Sequence, residues 1–120
     1  AGLRPQDIDH VNAHGTGTLN NDASEGIALR RLFGENVPSF TSTKTFTGHT
    51  LGAAGAVEAV LSVLAIRHSA HFGTLRFGTP IAETPLIPVT RSSTGKAVTR
   101  VLSNSFGFGG NNTSLVITAA

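Results

Sequence analysis

Two histidines occur in similar settings in this sequence, each in a loop of small residues between an extended and a helical segment. His14 opens the run His14–Thr18 (HGTGT), and His49 closes the run Thr43–His49 (TKTFTGH), which also contains Lys44. Imidazole N–H groups and a fixed ammonium can stabilise negative charge that develops on a carbonyl oxygen. Either histidine alone could be a structural loop residue, but the repeated arrangement favours a shared site.

A third loop has the same potential. The run Asn104–Asn112 contains three glycines between two predicted strands. Glycines allow backbone N–H groups to turn toward an oxyanion. The alternative is a plain turn with a buried phenylalanine pair. The run matches neither the glycine fingerprint of dinucleotide-binding proteins nor a phosphate-binding P-loop.

The elements around these loops follow from hydrophobic patterning and turn residues. The predicted strands are Ile8–Ala13, Pro38–Thr43, Val98–Phe106 and Asn112–Thr118, and the predicted helices are Ala23–Phe33 and Leu51–His68. Strands that alternate with helices place their carboxyl ends at one edge of an α/β sheet. The histidine loops are therefore expected at the same edge.

The first helix carries recognisable end signals. Asp22 and Glu25 form a D-x-x-E capping box, and Gly34 lies where a C-terminal cap belongs. The capping box accounts for Glu25 without any function. A functional role for Glu25 is left equally open.

The second helix, Leu51–His68, is apolar on nearly every side, so it must be buried between two layers or lie in lipid. Glu58 near its middle and the glycines Gly52 and Gly55 argue against a membrane span. The predicted strands can cover only one side of this helix. We therefore expect a layered protein whose other half is absent from this chain.

The segment from His71 to Lys96 is rich in proline and glycine, which predicts an extended excursion with an edge strand at Pro85–Val89. The histidines His68 and His71 at its start are interpreted as surface variation.

Composition limits the functional classes. The 120 residues are 39% hydrophobic and 13% charged with a net charge of +2, which is typical of one packed domain. Scattered basic residues give no stripe for nucleic acid. The absence of cysteine excludes disulfides, thiolate metal sites and a thiol nucleophile in this chain. No signal peptide is recognisable, so a cytoplasmic location is expected.

Taken together, VNAHGTGT, TKTFTGHTLGAAG and LSNSFGFGGNN resemble three signature segments of the β-ketoacyl-acyl carrier protein synthases, in the thiolase-like superfamily. The resemblance implies an α/β fold in which two similar halves stack as α/β/α/β/α layers with mixed sheets. Residues 1–120 would be the C-terminal domain, without the N-terminal half that carries the nucleophilic cysteine.

The resemblance also implies roles for individual residues. His14 and His49 would donate hydrogen bonds to an enolate oxygen, Lys44 would orient them, and Phe108 would act as a gate whose N–H joins the oxyanion hole. The expected substrate-binding residues are Thr16, Thr18, Phe106, Gly107 and Gly109. The expected structural network is Asp22, Glu25 and Asn104, with Glu25 buried near the lysine.

The activity so implied is the decarboxylative Claisen condensation of an acyl thioester with malonyl-acyl carrier protein, in fatty acid or polyketide synthesis. No metal and no cofactor are expected beyond the phosphopantetheine arm that carries the substrates. The implied partners are acyl carrier protein, the chain's own N-terminal half and a second copy in a homodimer. The pair Asn20-Asn21 is unusual and hints at a polyketide or polyene branch.

A different class of function stays open as an alternative. A partner subunit of the chain-length-factor type keeps the fold, lacks the nucleophile and shapes the pocket of a heterodimer. The presence of both histidines and the lysine favours the catalytic interpretation.

Overall fold

A computed structural model describes residues 1–120 of the chain. The strands are β1 (His10–Asn12), β2 (Ser39–Thr41), β3 (Ala70–His71), β4 (Ser93–Thr94), β5 (Arg100–Phe106) and β6 (Asn112–Thr118), and the helices are α1 (Leu19–Phe33), α2 (Lys44–Thr47) and α3 (Ala54–His68). One sheet has the order β2-β1-β5-β6, with β1 parallel to β2 and β5 and with β6 antiparallel to β5. The predicted mixed sheet of four strands is confirmed, with three strands shorter than predicted.

Helix α1 covers one face of this sheet. Its buried residues Leu29 and Phe33 pack with Val11 of β1 and Leu102 of β5, and these four side chains form the core cluster. Side chains alternate between the two faces of a strand. The neighbours of Val11 in β1 therefore point away from α1.

Helix α1 begins at Leu19, so the prediction of a capping box at its start is wrong. Asp22 lies in the first turn, where its carboxylate faces the positive end of the helix dipole. Glu25 is one turn further on and points into the protein. The predicted end is confirmed, since Gly34 has φ +62° and its N–H donates to the carbonyl of Arg30 at 2.9 Å.

Helix α3 packs against β5, and a 3-10 turn, Leu51–Ala53, leads into it. Its buried residues are spaced three or four apart, as one face of a helix requires, and are Ala54, Glu58, Ser62 and Ala65. The opposite face is apolar and open, with Val60 59% and Val63 49% exposed. The chain therefore covers one side of this helix only, as the sequence predicts.

The segment Leu51–His68 is also long and apolar enough to cross a membrane, with a mean hydropathy of 1.4. However, Glu58 and Ser62 on its buried face are hydrogen-bonded to side chains of α2 and of the sheet. One face of the helix is therefore packed against polar groups of the protein.

The excursion between α3 and β5 differs from the prediction. Pro85–Val89 is not a strand, because its two prolines have no N–H to donate to a ladder. Only the N–H of Val89 donates to β2, at 2.8 Å from the carbonyl of Phe40. A short antiparallel pair, β3 with β4, forms instead.

His71, expected on the surface, is buried against His10 of β1. The two rings are edge to face with centroids 5.0 Å apart, and their Nδ1 atoms lie 3.3 Å from each other. Both Nδ1 atoms also lie within 3.2 Å of the Ser39 hydroxyl. The Nε2 atom of each ring is buried without a partner. His68 is exposed, as expected.

We expect this buried pair to make stability fall in acid. Burial is the main cause of a lowered pKa in both rings. The pKa of His10 falls to about 4, with a further contribution from His71. The positive charge of Lys96 also lowers the pKa of His71, whereas Asp9 raises it. Imidazoles in the unfolded chain titrate near 6.5, so the unfolded state binds more protons as the pH falls from 6.5 toward 4.

The free energy of unfolding, measured with urea, should therefore fall over that pH range, with about 3 kcal/mol lost through His10 alone. The double variant His10→Phe/His71→Leu should weaken this dependence by the share of these two rings and leave the share of His14. The exposed His68→Gln variant is the matched control and should keep it. An equal slope in the double variant and in the wild type would contradict the assignment.

The open face of α3 predicts self-association, because exposed apolar patches tend to pair. The variant Val60→Lys/Val63→Lys should sediment as a smaller species than the wild-type chain at equal concentration. Ile87→Lys removes an even more exposed apolar side chain outside α3 and is the control. A wild-type chain that sediments as a monomer at all concentrations would show that this face does not pair.

Candidate functional site

The three loops singled out in the sequence meet at one edge of the sheet. His14 follows β1 by two residues, Lys44 follows β2 by three, and the glycine loop begins where β5 ends. These three strands are parallel neighbours, so their carboxyl ends lie side by side. The predicted juxtaposition is confirmed.

His14 and His49 form an edge-to-face pair with ring centroids 5.5 Å apart. The ring of Phe106 lies 5.4 Å from that of His14 on another side. His14 is buried, whereas His49 is exposed. The site is therefore open on the side of His49.

Lys44 is the first residue of the short helix α2, which forms inside the run predicted as a loop, and it links His14 to helix α3. Its ammonium lies 3.3 Å from Nδ1 of His14 and forms an ion pair with Glu58. Both charged side chains are buried, 5% and 3% exposed. The hydroxyl of Ser105 lies 3.5 Å from the second oxygen of Glu58, at the limit of a hydrogen bond.

These contacts determine where each imidazole carries its proton. An ammonium can only donate, so Nδ1 of His14 accepts and the ring proton is on Nε2. The backbone N–H of Leu51 donates to Nδ1 of His49 at 3.1 Å, which places that ring's proton on Nε2 as well. Neither Nε2 makes a hydrogen bond within the chain. The site therefore offers two adjacent Nε2–H donors.

The local field keeps His14 neutral. Burial is the main cause of its lowered pKa, about 4, and the positive charge of Lys44 is the second. A neutral imidazole N–H makes only a weak hydrogen bond to a substrate carbonyl in the ground state. That hydrogen bond strengthens as negative charge develops on the oxygen.

Glu25 holds the loop that carries His14. Its carboxylate accepts the backbone N–H groups of His14 and Gly15 at 3.0 and 2.9 Å, and the side-chain amide of Asn104 at 3.0 Å. Burial raises the pKa of Glu25, and these three donors oppose that rise. Gly15 has φ +39°, and a Cβ there would lie 2.6 Å from that of Ser42, so the loop requires glycine.

Glu25 is buried, as expected, but the carboxylate that forms the ion pair with Lys44 is that of Glu58. In the sequence, Glu58 counted only as evidence against a membrane span. An acidic residue in an otherwise apolar helix signals a buried cation partner, and that signal was available. Asn104 does belong to the network, and Ser114 donates to its carbonyl oxygen at 2.8 Å.

Thr16 and Thr18 lie on the outer side of the same loop. Their hydroxyl oxygens are 2.9 Å apart, and Thr18 is exposed. Asp22 accepts the N–H of Gly17 at 3.3 Å and so ties the loop to α1. The threonines are therefore accessible to a ligand that approaches from outside the chain.

The glycine loop differs from the alternative of a buried phenylalanine pair. Phe108 is fully exposed, and only the ring of Phe106 contacts His14. Gly107 and Gly109 are both exposed, and Gly109 has φ +78°. The structure thus places Phe106 in the site and Phe108 outside it.

A cleft of about 510 Å³ lies between the loop that carries His14, α1 and the excursion that follows α3. Thr16, Glu25 and Lys44 line it, but neither histidine does. The Nε2–H donors therefore do not open into this cleft. No group of three or more His, Cys, Asp or Glu side chains is placed to hold a metal ion.

Comparison with known proteins agrees with this geometry. Residues 1–77 match the family described as "Beta-ketoacyl synthase, C-terminal domain". The chain is 48% identical over 122 residues to the mitochondrial 3-oxoacyl-[acyl-carrier-protein] synthase of Arabidopsis thaliana, and 45% identical over 119 residues to 3-oxoacyl-[acyl-carrier-protein] synthase 2 of Rhizobium meliloti. These alignments cover 97% and 98% of the chain but only 26% and 28% of the relatives.

Two solved structures superpose over nearly the whole chain. The ishigamide ketosynthase/chain length factor gives a TM-score of 0.94 at 34% identity, covering 99% of this chain and 30% of that one. The complex of a ketosynthase with its chain length factor from Xenorhabdus doucetiae gives 0.88 at 46% identity, covering 100% and 30%.

The family match covers more than half of the chain, and the solved ketosynthase structures share its mixed sheet. The chain therefore has a thiolase-like fold and belongs to the β-ketoacyl synthase C-terminal domain family.

Proposed function

We propose that this chain is the C-terminal domain of a condensing enzyme, which joins an acyl thioester to malonyl-acyl carrier protein by decarboxylative Claisen condensation. The observation that carries the proposal is the adjacent pair of imidazoles at His14 and His49, each with Nδ1 occupied by a donor and Nε2–H left free. The names of the relatives, 3-oxoacyl-[acyl-carrier-protein] synthases, support it.

The chemistry that needs such a pair is the loss of CO₂ from a malonyl thioester. The bond between the carboxylate carbon and the methylene carbon breaks, and its electron pair moves through the methylene carbon to the thioester oxygen. The negative charge on that enolate oxygen would be held by the two Nε2–H donors. The enolate carbon then attacks an acyl thioester, whose sulfur departs as a thiolate.

The acyl thioester requires a cysteine from outside this chain, which has none. We assign that cysteine to an N-terminal half packed on the open face of α3, where Val60 and Val63 are exposed. Phe108 would lie at the junction between the halves. Its full exposure here agrees with a gate that finds its contacts in the other half.

Lys44 would act through charge rather than by contact with substrate. Its ammonium keeps Nδ1 of His14 unprotonated and so maintains the donor at Nε2. Thr16 and Thr18, on the accessible side of the loop, would contact the phosphopantetheine arm, and Gly107 and Gly109 would line its path. Acyl carrier protein would then be the partner, and no further cofactor would be needed. The parent protein would be a homodimer in the cytoplasm.

The chain-length-factor alternative is favoured by two of the matching structures, whose names include such a factor. The intact set of His14, His49 and Lys44 with its buried ion pair favours the enzyme, because a partner that only shapes a pocket needs no buried charge at this edge. A cysteine at the start of a buried helix in the N-terminal half would decide for the enzyme.

The test is malonyl decarboxylation by the full-length protein. His14→Ala and His49→Ala should each lower kcat by roughly 10²–10³-fold, because each removes one donor from the developing oxyanion. His68→Ala, an exposed histidine outside the site, is the control and should leave the rate unchanged. Unchanged CO₂ release in both site variants would refute the role given to the pair.

A further inference from the structure

Asn12 lies at the centre of the three elements that carry the site. It is the last residue of β1, two positions before His14, and is 2% exposed. Its amide nitrogen donates to the backbone carbonyl of Glu58 at 3.2 Å and lies 3.3 Å from the hydroxyl of Ser62. Its amide oxygen accepts the hydroxyl of Thr43 at 3.4 Å.

Two of these three partners belong to, or lie next to, a charged residue of the site. Thr43 immediately precedes Lys44, and the carbonyl on α3 belongs to Glu58 itself. One side chain therefore connects the backbones that present His14, Lys44 and Glu58. Lys44 itself contacts His14 and Glu58. Its side chain is long and flexible, so these contacts alone do not fix the distance between the ammonium and His14.

The orientation of the amide is determined by its partners. The carbonyl of Glu58 can only accept, so the NH₂ group must face α3 and the oxygen must face Thr43. Ser62 donates to the same carbonyl at 2.7 Å, and its hydroxyl oxygen is free to accept from Asn12. Because all four residues are buried, reversal of the amide would leave polar groups unpaired.

We propose that Asn12 is the positioning residue for Lys44. Asn12 fixes β1, Thr43 and α3 relative to one another, and this sets the distance between the Lys44 ammonium and Nδ1 of His14. The proposal rests on the function assigned above. Asn12 makes no hydrogen bond to either imidazole ring, so in this proposal it acts only through the placement of Lys44.

The experiment compares Asn12→Leu with the wild type in the full-length enzyme. The variant keeps roughly the volume of the side chain and adds no charge, but it removes the hydrogen bonds to the carbonyl of Glu58 and to Thr43. Lys44 should move away from His14, and kcat for decarboxylation should fall on the order of 10–100-fold at unchanged KM, as expected for a small misplacement.

The pH profile separates positioning from general damage. In the wild type His14 should be protonated only near pH 4, partly because Lys44 disfavours a second positive charge. Displacing the ammonium raises the pKa of His14, so the acid limb of the rate profile should move to higher pH. NMR titration of the His14 ring should show the same rise.

Two further variants complete the design. Thr43→Val removes the hydroxyl that the amide oxygen accepts while keeping its shape, and should move kcat and the acid limb in the same direction by less. Ser39→Ala is the matched control, because Ser39 also bridges several polar groups, from β2 to His10, His71 and Asp9. It should lower Tm without moving either quantity.

The outcomes distinguish this inference from the proposed function. If Asn12→Leu lowers Tm but leaves the His14 titration where it is in the wild type, the positioning role is wrong. If His14→Ala keeps full decarboxylation, the proposed function is wrong instead. The NMR titration still decides whether Asn12 sets the contact between Lys44 and His14 in that case.

Discussion

The buried ion pair between Lys44 and Glu58 is the constraint on which the rest of the site depends. Removing two charges from water costs several kcal/mol per ion, and losing one partner would cost about 3–5 kcal/mol because the other charge would stay buried alone. Apolar residues of similar volume would generally cost no stability at such a position. The pair is therefore better explained by the fixed positive charge that it places 3.3 Å from His14.

The fold meets this constraint by giving the two faces of the sheet different partners. Val11 and Leu102 point to α1 and form an apolar core, whereas Asn12 points to α3 and meets polar groups. Helix α3 is accordingly reversed in character, with Glu58 and Ser62 buried on the sheet and its apolar side chains outside. The same arrangement that supplies Lys44 with a counter-ion leaves an apolar surface for another layer.

Much of this could be predicted from local sequence. Parallel strands that are each followed by a loop and a helix have those loops at the same edge of the sheet. The proximity of His14 and His49 could therefore be predicted without knowledge of their tertiary contacts. The capping box predicted for Asp22 and Glu25 is wrong because the spacing D-x-x-E does not depend on where the helix begins, and only the tertiary structure shows the Glu25 carboxylate turned toward the loop of His14. His71 was misassigned because its partner, His10, lies 61 positions away in the sequence.

The two histidine pairs show why residue type alone does not define a site. Both are edge-to-face pairs, with centroids 5.0 Å apart for His10 and His71 and 5.5 Å for His14 and His49. In the first pair the Nδ1 atoms face each other and each Nε2 is buried without a partner. In the second pair, separate donors from Lys44 and from the Leu51 backbone hold the Nδ1 atoms, which directs both N–H groups outward. The difference in chemistry thus comes from what holds the inner nitrogen, because a ring held there by a donor has its remaining proton available for a substrate.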